Sequence, residues 1–329
     1  MFLVRTRLFL YRIGIIRSYT SKKPVLSIGN ITMGGTGKTP MIDWFLTYFS
    51  RQNTRASVLT RGYGARRSRK TKVLDKQTTK NENYVDFGDE PWLLFKHHPQ
   101  FKFYISPKRV QSARIAEDCS DILLLDDGMQ HIRLNRTLNI VLLDCVSGVG
   151  NGQMFPLGPL REPLENLSRA DIIIYSRSNL VSSINLRKKM KSFIPEKTPQ
   201  FDSGYIPAEL ISCHKNSPQA ASSIANKRCL LFSGIGNPTA FEKTIQDLGG
   251  KILDHLILSD HQKYDSSMRQ KLKSFITGKD HDYVICTEKD WVKLEYYAEE
   301  YPPFWYLTMK VEMGEDFTFF MDDFMKNGC

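Results

Sequence analysis

Ser27-Ile28-Gly29-Asn30-Ile31-Thr32-Met33-Gly34-Gly35-Thr36-Gly37-Lys38-Thr39-Pro40 lies between a short apolar run, Pro24–Ile28, and a stretch, Met41–Phe49, that sets Ile42, Phe45, Leu46 and Phe49 on one helical face. The spacing predicts strand, glycine-rich loop and helix in that order. Glycines let successive backbone N–H groups turn inward around phosphate oxygens. Lys38 then adds charge at the outer phosphates, Thr39 a hydroxyl for Mg²⁺, and the helix N-terminus a favourable dipole. Pro40 suits a first helical turn, where no amide donor is needed. The strict P-loop spacing expects a glycine five residues before Gly37, where Thr32 stands, so the loop is a variant.

Outward from this loop, apolar runs alternate with helical patterns. Strands are expected at Ser57–Thr60, Phe101–Ile105, Asp121–Leu125, Asn139–Leu143 and Asp171–Tyr175, with a helix at Pro107–Glu117. Runs such as Ile122–Leu125 are apolar without alternation, which marks parallel strands covered on both faces. From Arg177 to Asn226 Ser, Lys, Pro and Gln dominate and the pattern fades. It returns as strand Arg228–Phe232, helix Ala240–Leu248, strand Lys251–Leu258, helix Ser266–Ile276 and strands Tyr283–Thr287 and Phe304–Val311. The expected fold is α/β: a P-loop-type parallel sheet flanked by helices, with a second, smaller α/β domain. The expected divisions are an N-terminal segment 1–23, a P-loop core 24–176, an irregular link 177–226 and a second α/β unit 227–329 that closes over the cleft.

Composition narrows the partners. The chain has 329 residues, 41% hydrophobic, enough for a sizeable core and roughly two domains. Its net charge of +11 favours anionic partners: nucleotide phosphates, nucleic acid or an anionic membrane surface. Six scattered cysteines without a C-x-x-C pair suggest neither zinc nor a disulfide framework, and fit a reducing cytosol. No unbroken apolar run is long enough for a transmembrane helix. The first acidic residue is Asp43. Ahead of it Arg5, Arg7, Arg12, Arg17, Lys22 and Lys23 are interleaved with apolar residues. That pattern suits a helix lying in the lipid interface, a presequence, or a terminal helix docked on the body.

A P-loop needs an acidic partner at another strand end, and Ile122–Leu125 runs into Asp126-Asp127-Gly128. Gly88-Asp89-Glu90-Pro91 is either a helix N-cap or a third acidic site. Partitioning ATPases are rivals, yet their signature lysine before the two glycines is Met33 here. A GTPase would need Asn-Lys-x-Asp, and the nearest stretch, Thr287-Glu288-Lys289-Asp290, has the wrong order. Gly234-Ile235-Gly236 lacks the third glycine of a dinucleotide fingerprint and reads as a tight turn. Basic residues are dispersed with no recognised reading module, so nucleic acid is not expected as a partner.

Ser27–Pro40 resembles the N-terminal signature of the tetraacyldisaccharide 4′-kinases, the lipid A kinases of Gram-negative bacteria. The resemblance continues through Thr60-Arg61-Gly62-Tyr63-Gly64, Gly88–Pro91, Lys108-Arg109-Val110, Asp126-Asp127-Gly128-Met129-Gln130-His131, Gly150-Asn151-Gly152 and Gly158-Pro159-Leu160-Arg161-Glu162-Pro163. Beyond these come Gly234–Pro238, Asp260-His261 and Thr287–Asp290, so it covers nearly the whole chain in family order. It implies transfer of the ATP γ-phosphate to the 4′-hydroxyl of a lipid disaccharide 1-phosphate in lipopolysaccharide biosynthesis. The family works with Mg²⁺, peripherally at the cytoplasmic face of the inner membrane. Carried over, it assigns ATP phosphates to Thr32, Met33, Gly34, Gly35, Thr36, Gly37, Lys38 and Thr39. Metal organisation falls to Thr39, Glu90, Asp126 and Asp127, with the order of Asp126 and Asp127 open. Asp89 pairs with His261 as the dyad activating the acceptor hydroxyl, beside Lys38 as the third catalytic group. Arg61, Arg109 and Arg161 are expected at substrate or transition-state phosphates, and His131 as either a substrate contact or a structural residue. The remaining alternative is a nucleotide-driven membrane switch of the partitioning-ATPase type. Two features depart from the family. The stretch before Pro24 is shorter than usual, and Ser176-Arg177 replaces a more apolar strand end.

Overall fold

The fold is described from a computed structural model, which covers residues 6, 10–11, 13–66, 70–78, 83–260 and 262–327. The expected signature forms strand β1 (Val25–Asn30), a loop, and helix Lys38–Arg51, whose Ile42, Phe45, Leu46 and Phe49 are all buried. Each such side chain contributes about 1.5–3 kcal/mol of burial. β1 lies inside the sheet, parallel to β5 (Ile122–Asp126) on one side and to β6 (Leu138–Asp144) on the other. Beyond β5 come β2 (Ala56–Thr60), β4 (Lys102–Ile105) and, antiparallel, β3 (Lys72–Leu74). Beyond β6 lies β7 (Ile172–Ser176). The chain therefore builds one side of β1 first and then crosses to the other. In open α/β sheets such a switch point leaves a crevice at the carboxyl ends of the strands.

The span 177–226, expected to be irregular, contains helix Ile184–Met190, β8 (Gln200–Ser212) and β9 (Pro218–Ala220). β8 is thirteen residues long. Its start runs parallel to β7 and its remainder antiparallel to β13 (Trp305–Met313). One strand thus joins both halves into a single sheet, which continues through β12 (Tyr283–Thr287), β10 (Arg228–Ser233) and β11 (Lys251–Ile257). β8 escapes sequence reading because most of its positions are half-buried and it includes Gly204 and Pro207, leaving no apolar run. Helix Glu315–Asn327 then returns to the first half. Phe317 and Met321 enter the core around Phe45 and Phe49, and Tyr48 donates to Asp322 Oδ1 at 2.6 Å.

The N-terminal segment is only partly within the described residues: 1–5, 7–9 and 12 lie outside them. Its end is docked on the body. Tyr19 N donates to the Arg133 carbonyl at 2.8 Å, and Tyr19 Oη and Ser21 Oγ donate to Glu117. Among the described residues no helix is long and apolar enough to cross a membrane.

Candidate active site

The loop after β1 is held from two sides. Its entry pairs with 159–161: Met33 N donates to the Pro159 carbonyl at 2.7 Å and Arg161 N to the Ile31 carbonyl at 2.8 Å. Its turn is held by the end of β7. Ser176 Oγ donates to the Thr36 carbonyl at 2.9 Å, and Arg177 Nη2 to the Gly35 carbonyl at 3.2 Å. Arg177 is in turn anchored on the buried carboxylate of Asp144 through Nε at 2.7 Å. In a planar trans peptide the N–H opposes the C=O. Fixing these two carbonyls therefore points the amides of Thr36 and Gly37 away from Ser176 and Arg177. The departure at Ser176-Arg177 has a structural consequence: both residues shape the loop.

Lys38 and the strand-end acids meet beside this loop. Lys38 Nζ donates to Asn30 Oδ1 at 3.2 Å and lies 3.5 Å from Asp127 Oδ1. Arg161 Nη1 bridges both oxygens of Asp127 at 2.7 and 2.8 Å. Burial pushes the Asp127 carboxyl up, but Lys38 and Arg161 outweigh it and hold the group below the usual carboxylate range. Asp126 behaves differently. Burial, then the charges of Glu90 and Asp127, raise its pKa to about 6, against one hydrogen bond from Thr60 Oγ1 at 2.7 Å. Neighbouring carboxyls driven apart in this way are typical of reactive sites.

Thr39, Thr60, Glu90 and Asp126 line one small cavity floored by Ile42, Val58, Leu94 and Phe103. Hydroxyl and carboxylate oxygens of this kind suit a hard divalent cation. Asp89 and Glu90 begin helix Asp89–His97. Gly88 precedes them at φ 96°, where a Cβ would sit 2.8 Å from the Tyr63 carbonyl, so the turn needs glycine. Glu90 is bonded to Lys289. Burial raises its pKa, yet Lys289 holds it below the ordinary value. Asp89 lies 3.4 Å from Lys293 Nζ.

The other expected residues spread around this centre. Arg109 is buried, and burial lowers its pKa against the pull of Asp126 and Asp127; its Nη1 donates to the Pro107 carbonyl at 3.3 Å. Arg61 is exposed at the end of β2. His131 closes its turn through its backbone N–H on the Gly128 carbonyl at 2.9 Å. His261 lies outside the described residues, so its pairing with Asp89 does too. Sequence reading gave no role to Asn30, Thr60, Gln130 or Lys293, and left Lys289, with Glu288 and Asp290, open between lining the cleft and forming an ion-pair network. Asn30, Thr60, Gln130 and Lys289 all sat inside quoted motifs, and Lys293 is one helical turn beyond Lys289, a spacing that places both on one face.

A further cluster joins three helices. His97 sits between Asp43 Oδ1 at 2.7 Å from Nδ1 and Glu288 Oε1 at 2.7 Å from Nε2, and His98 Nε2 meets the same Asp43 oxygen at 3.0 Å. Burial pushes the His97 pKa down, but the two carboxylates raise it to about 10.

The sequence model of the family described as tetraacyldisaccharide-1-P 4′-kinase matches residues 1–326. The chain belongs to this family. It is 32% identical over 313 residues to a tetraacyldisaccharide 4′-kinase of Syntrophotalea carbinolica, covering 92% of this chain and 82% of the relative. It is also 32% identical to the corresponding protein of Bdellovibrio bacteriovorus, over 92% and 88% of the two chains. Among solved structures it is similar to the LpxK of Aquifex aeolicus crystallised with ATP. The TM-score is 0.76 at 25% identity, over 96% of this chain and 92% of that one. Membership of the family makes the protein an ATP-using kinase with a P-loop α/β fold. The partitioning-ATPase alternative is not favoured.

Proposed function

We propose that this kinase transfers the γ-phosphate of ATP to the 4′-hydroxyl of a tetraacyldisaccharide 1-phosphate lipid in lipid A biosynthesis. It acts with Mg²⁺ at the cytoplasmic face of the inner membrane. One observation carries the reading: of the four acids in the two pairs Asp126-Asp127 and Asp89-Glu90, Asp127, Glu90 and Asp89 each have a cationic partner. Asp126 alone has none within ion-pair distance among the described residues. A carboxylate left buried without compensation is costly, and the missing charge marks where a cation belongs.

Thr39, Glu90 and Asp126 would hold that ion, with Asp127 turned to Lys38 and Arg161 in support. When bound, Mg²⁺ neutralises charge on the β- and γ-phosphates. The loop amides from Gly34 to Thr39 grip the phosphate tail, while the Met33 amide is spent on the Pro159 carbonyl, and Lys38 adds charge where it develops in transfer. Arg161 and Arg109 bring guanidinium groups toward the same place, and their planar forks suit phosphate oxygens. Arg61 and His131 are the remaining candidates for contact with the substrate. Asp89 with His261 accepts the proton of the sugar hydroxyl, the role a carboxylate-oriented imidazole performs near neutrality. The acid-free, basic and apolar start of the chain supports peripheral attachment to anionic lipid.

Incubation with ATP, Mg²⁺ and a detergent-solubilised tetraacyldisaccharide 1-phosphate, followed by mass analysis, tests the reading. The expected product carries one added phosphoryl group on the non-reducing sugar. ATP turnover with no phosphorylated lipid would remove the substrate assignment.

A further inference from the structure

The stretch Thr287–Asp290 opens helix Glu288–Leu294, which grips the acid turn from the far half of the chain. Lys289 bonds Glu90, and Lys293, four residues on, lies 3.4 Å from Asp89 Oδ2. Two lysines one turn apart on one face thus meet two adjacent acids. The first residue of the helix, Glu288, joins the same partner helix at His97. On its other side the helix is fixed by Asp290, which is fully buried. Asp290 accepts from Gly234 N at 3.1 and 3.0 Å, from Tyr264 Oη at 2.8 Å and from Thr287 Oγ1 at 2.6 Å. A single helix thus holds both Asp89 and, through Tyr264, the far half of the chain.

Lys293 is the unusual member. Only 3% of its side chain is exposed, and an ammonium buried to that degree is costly unless paired. Replacing both Lys293 and Asp89 by apolar side chains of similar volume would serve stability as well or better. The arrangement makes sense if the carboxylate of Asp89 must be held charged and fixed in direction. We propose that Lys293 is a positioning residue for phosphoryl transfer, orienting the Asp89 carboxylate toward the acceptor hydroxyl through helix Glu288–Leu294. This inference rests on the reading of Asp89 as part of the base.

Steady-state kinetics of the full chain with ATP, Mg²⁺ and the disaccharide lipid decide it, using Lys293→Met, Lys293→Gln, Lys293→Arg, Asp89→Asn and the Asp89→Asn/Lys293→Met double variant. Lys293→Met should lower kcat at least tenfold with KM for ATP within twofold of wild type, an internal sign that the loop is folded. Lys293→Arg should recover most of the turnover. In the Asp89→Asn background, Lys293→Met should cost nothing further, because two residues acting as one unit are not additive. If Lys293→Met is insoluble, Lys293→Gln is held to the same values. Turnover within twofold of wild type, losses that multiply in the double variant, or a failure of Lys293→Arg to recover would each overturn the proposal. Full activity in Asp89→Asn would instead remove the base assignment beneath it, so the two failures are distinguishable.

Discussion

The two acid pairs at the heart of this kinase, Asp126-Asp127 and Asp89-Glu90, look alike in sequence and are built in opposite ways. Asp127 is partnered by Lys38 and Arg161, and Asp126 by Thr60, all from the half that contains β1. Asp89 and Glu90 take their lysines from a helix about two hundred residues onward. The first pair is complete once the P-loop half folds. The second is complete only when the far half has docked, a contact β8 and helix Glu315–Asn327 enforce. In the proposed reading, phosphate binding rests on the first half and acceptor activation on the docking of both.

The largest expected effect tests the first pair. Lys38→Ala removes a cation facing both the loop and Asp127, and should lower phosphate transfer by about 10²–10³-fold or more with an unchanged circular dichroism spectrum. Near-normal turnover would detach the loop from the chemistry. Asp126→Asn sharpens the distinction between the neighbours. Its turnover should fall by about 10²-fold, and the Mg²⁺ concentration for half-maximal rate should rise severalfold. In Asp127→Asn the turnover falls with a smaller change in that Mg²⁺ requirement. Equal shifts in Mg²⁺ requirement for both would mean that the two acids share the ion.

Much of the first pair was legible in the sequence, and little of the second. Glycine loop, Lys-Thr and the apolar run ending in Asp126 are contiguous signals whose partners are fixed by strand adjacency, so β1, β5 and helix Lys38–Arg51 follow from pattern alone. Lys293 has no such signature, because its role arises from a docking geometry no local period encodes. Ser176-Arg177 read as an unexplained polar strand end, since its bonds to the Gly35 and Thr36 carbonyls cross from one βα junction to another. β8 was hidden for the opposite reason: a strand paired on both sides yet half-exposed on its faces lacks both alternation and an apolar run.

A smaller effect is expected at the turn of the second pair. Gly88→Ala places a Cβ 2.8 Å from a backbone carbonyl at a residue with φ 96°. The strain should cost about 1–3 kcal/mol, read as a lowered urea midpoint. Because the turn directs Asp89 and Glu90, kcat should fall more than ATP affinity. An unchanged midpoint would show that the Tyr63–Gly88 approach relaxes freely.

The smallest effect concerns the joint between the regions. His97 belongs to the helix of Asp89 and Glu90, but its ring nitrogens reach Asp43 of the P-loop helix and Glu288 of the far half. Both nitrogens face carboxylates, so both must donate and the ring is an imidazolium. Its pKa is raised from 6.5 to about 10 by folding. The contribution of this joint is therefore fully present below about pH 6.5 and is lost as pH rises through about 10. Asp43, whose carboxyl burial would raise but whose histidine partners hold well below the usual range, gives the opposite edge. Its share is present above the ordinary carboxylate range and lost only in strong acid. The His97 side chain is one-third exposed, so solvent screening reduces the joint to about 1–2 kcal/mol. Urea midpoints of wild type and His97→Gln should differ most near pH 6 and converge by about pH 10. Comparing the two proteins cancels the tyrosine and lysine titrations they share. A gap that stayed constant or widened with pH would mean that packing, not the charged ring, holds the second pair's helix between the P-loop helix and the far half.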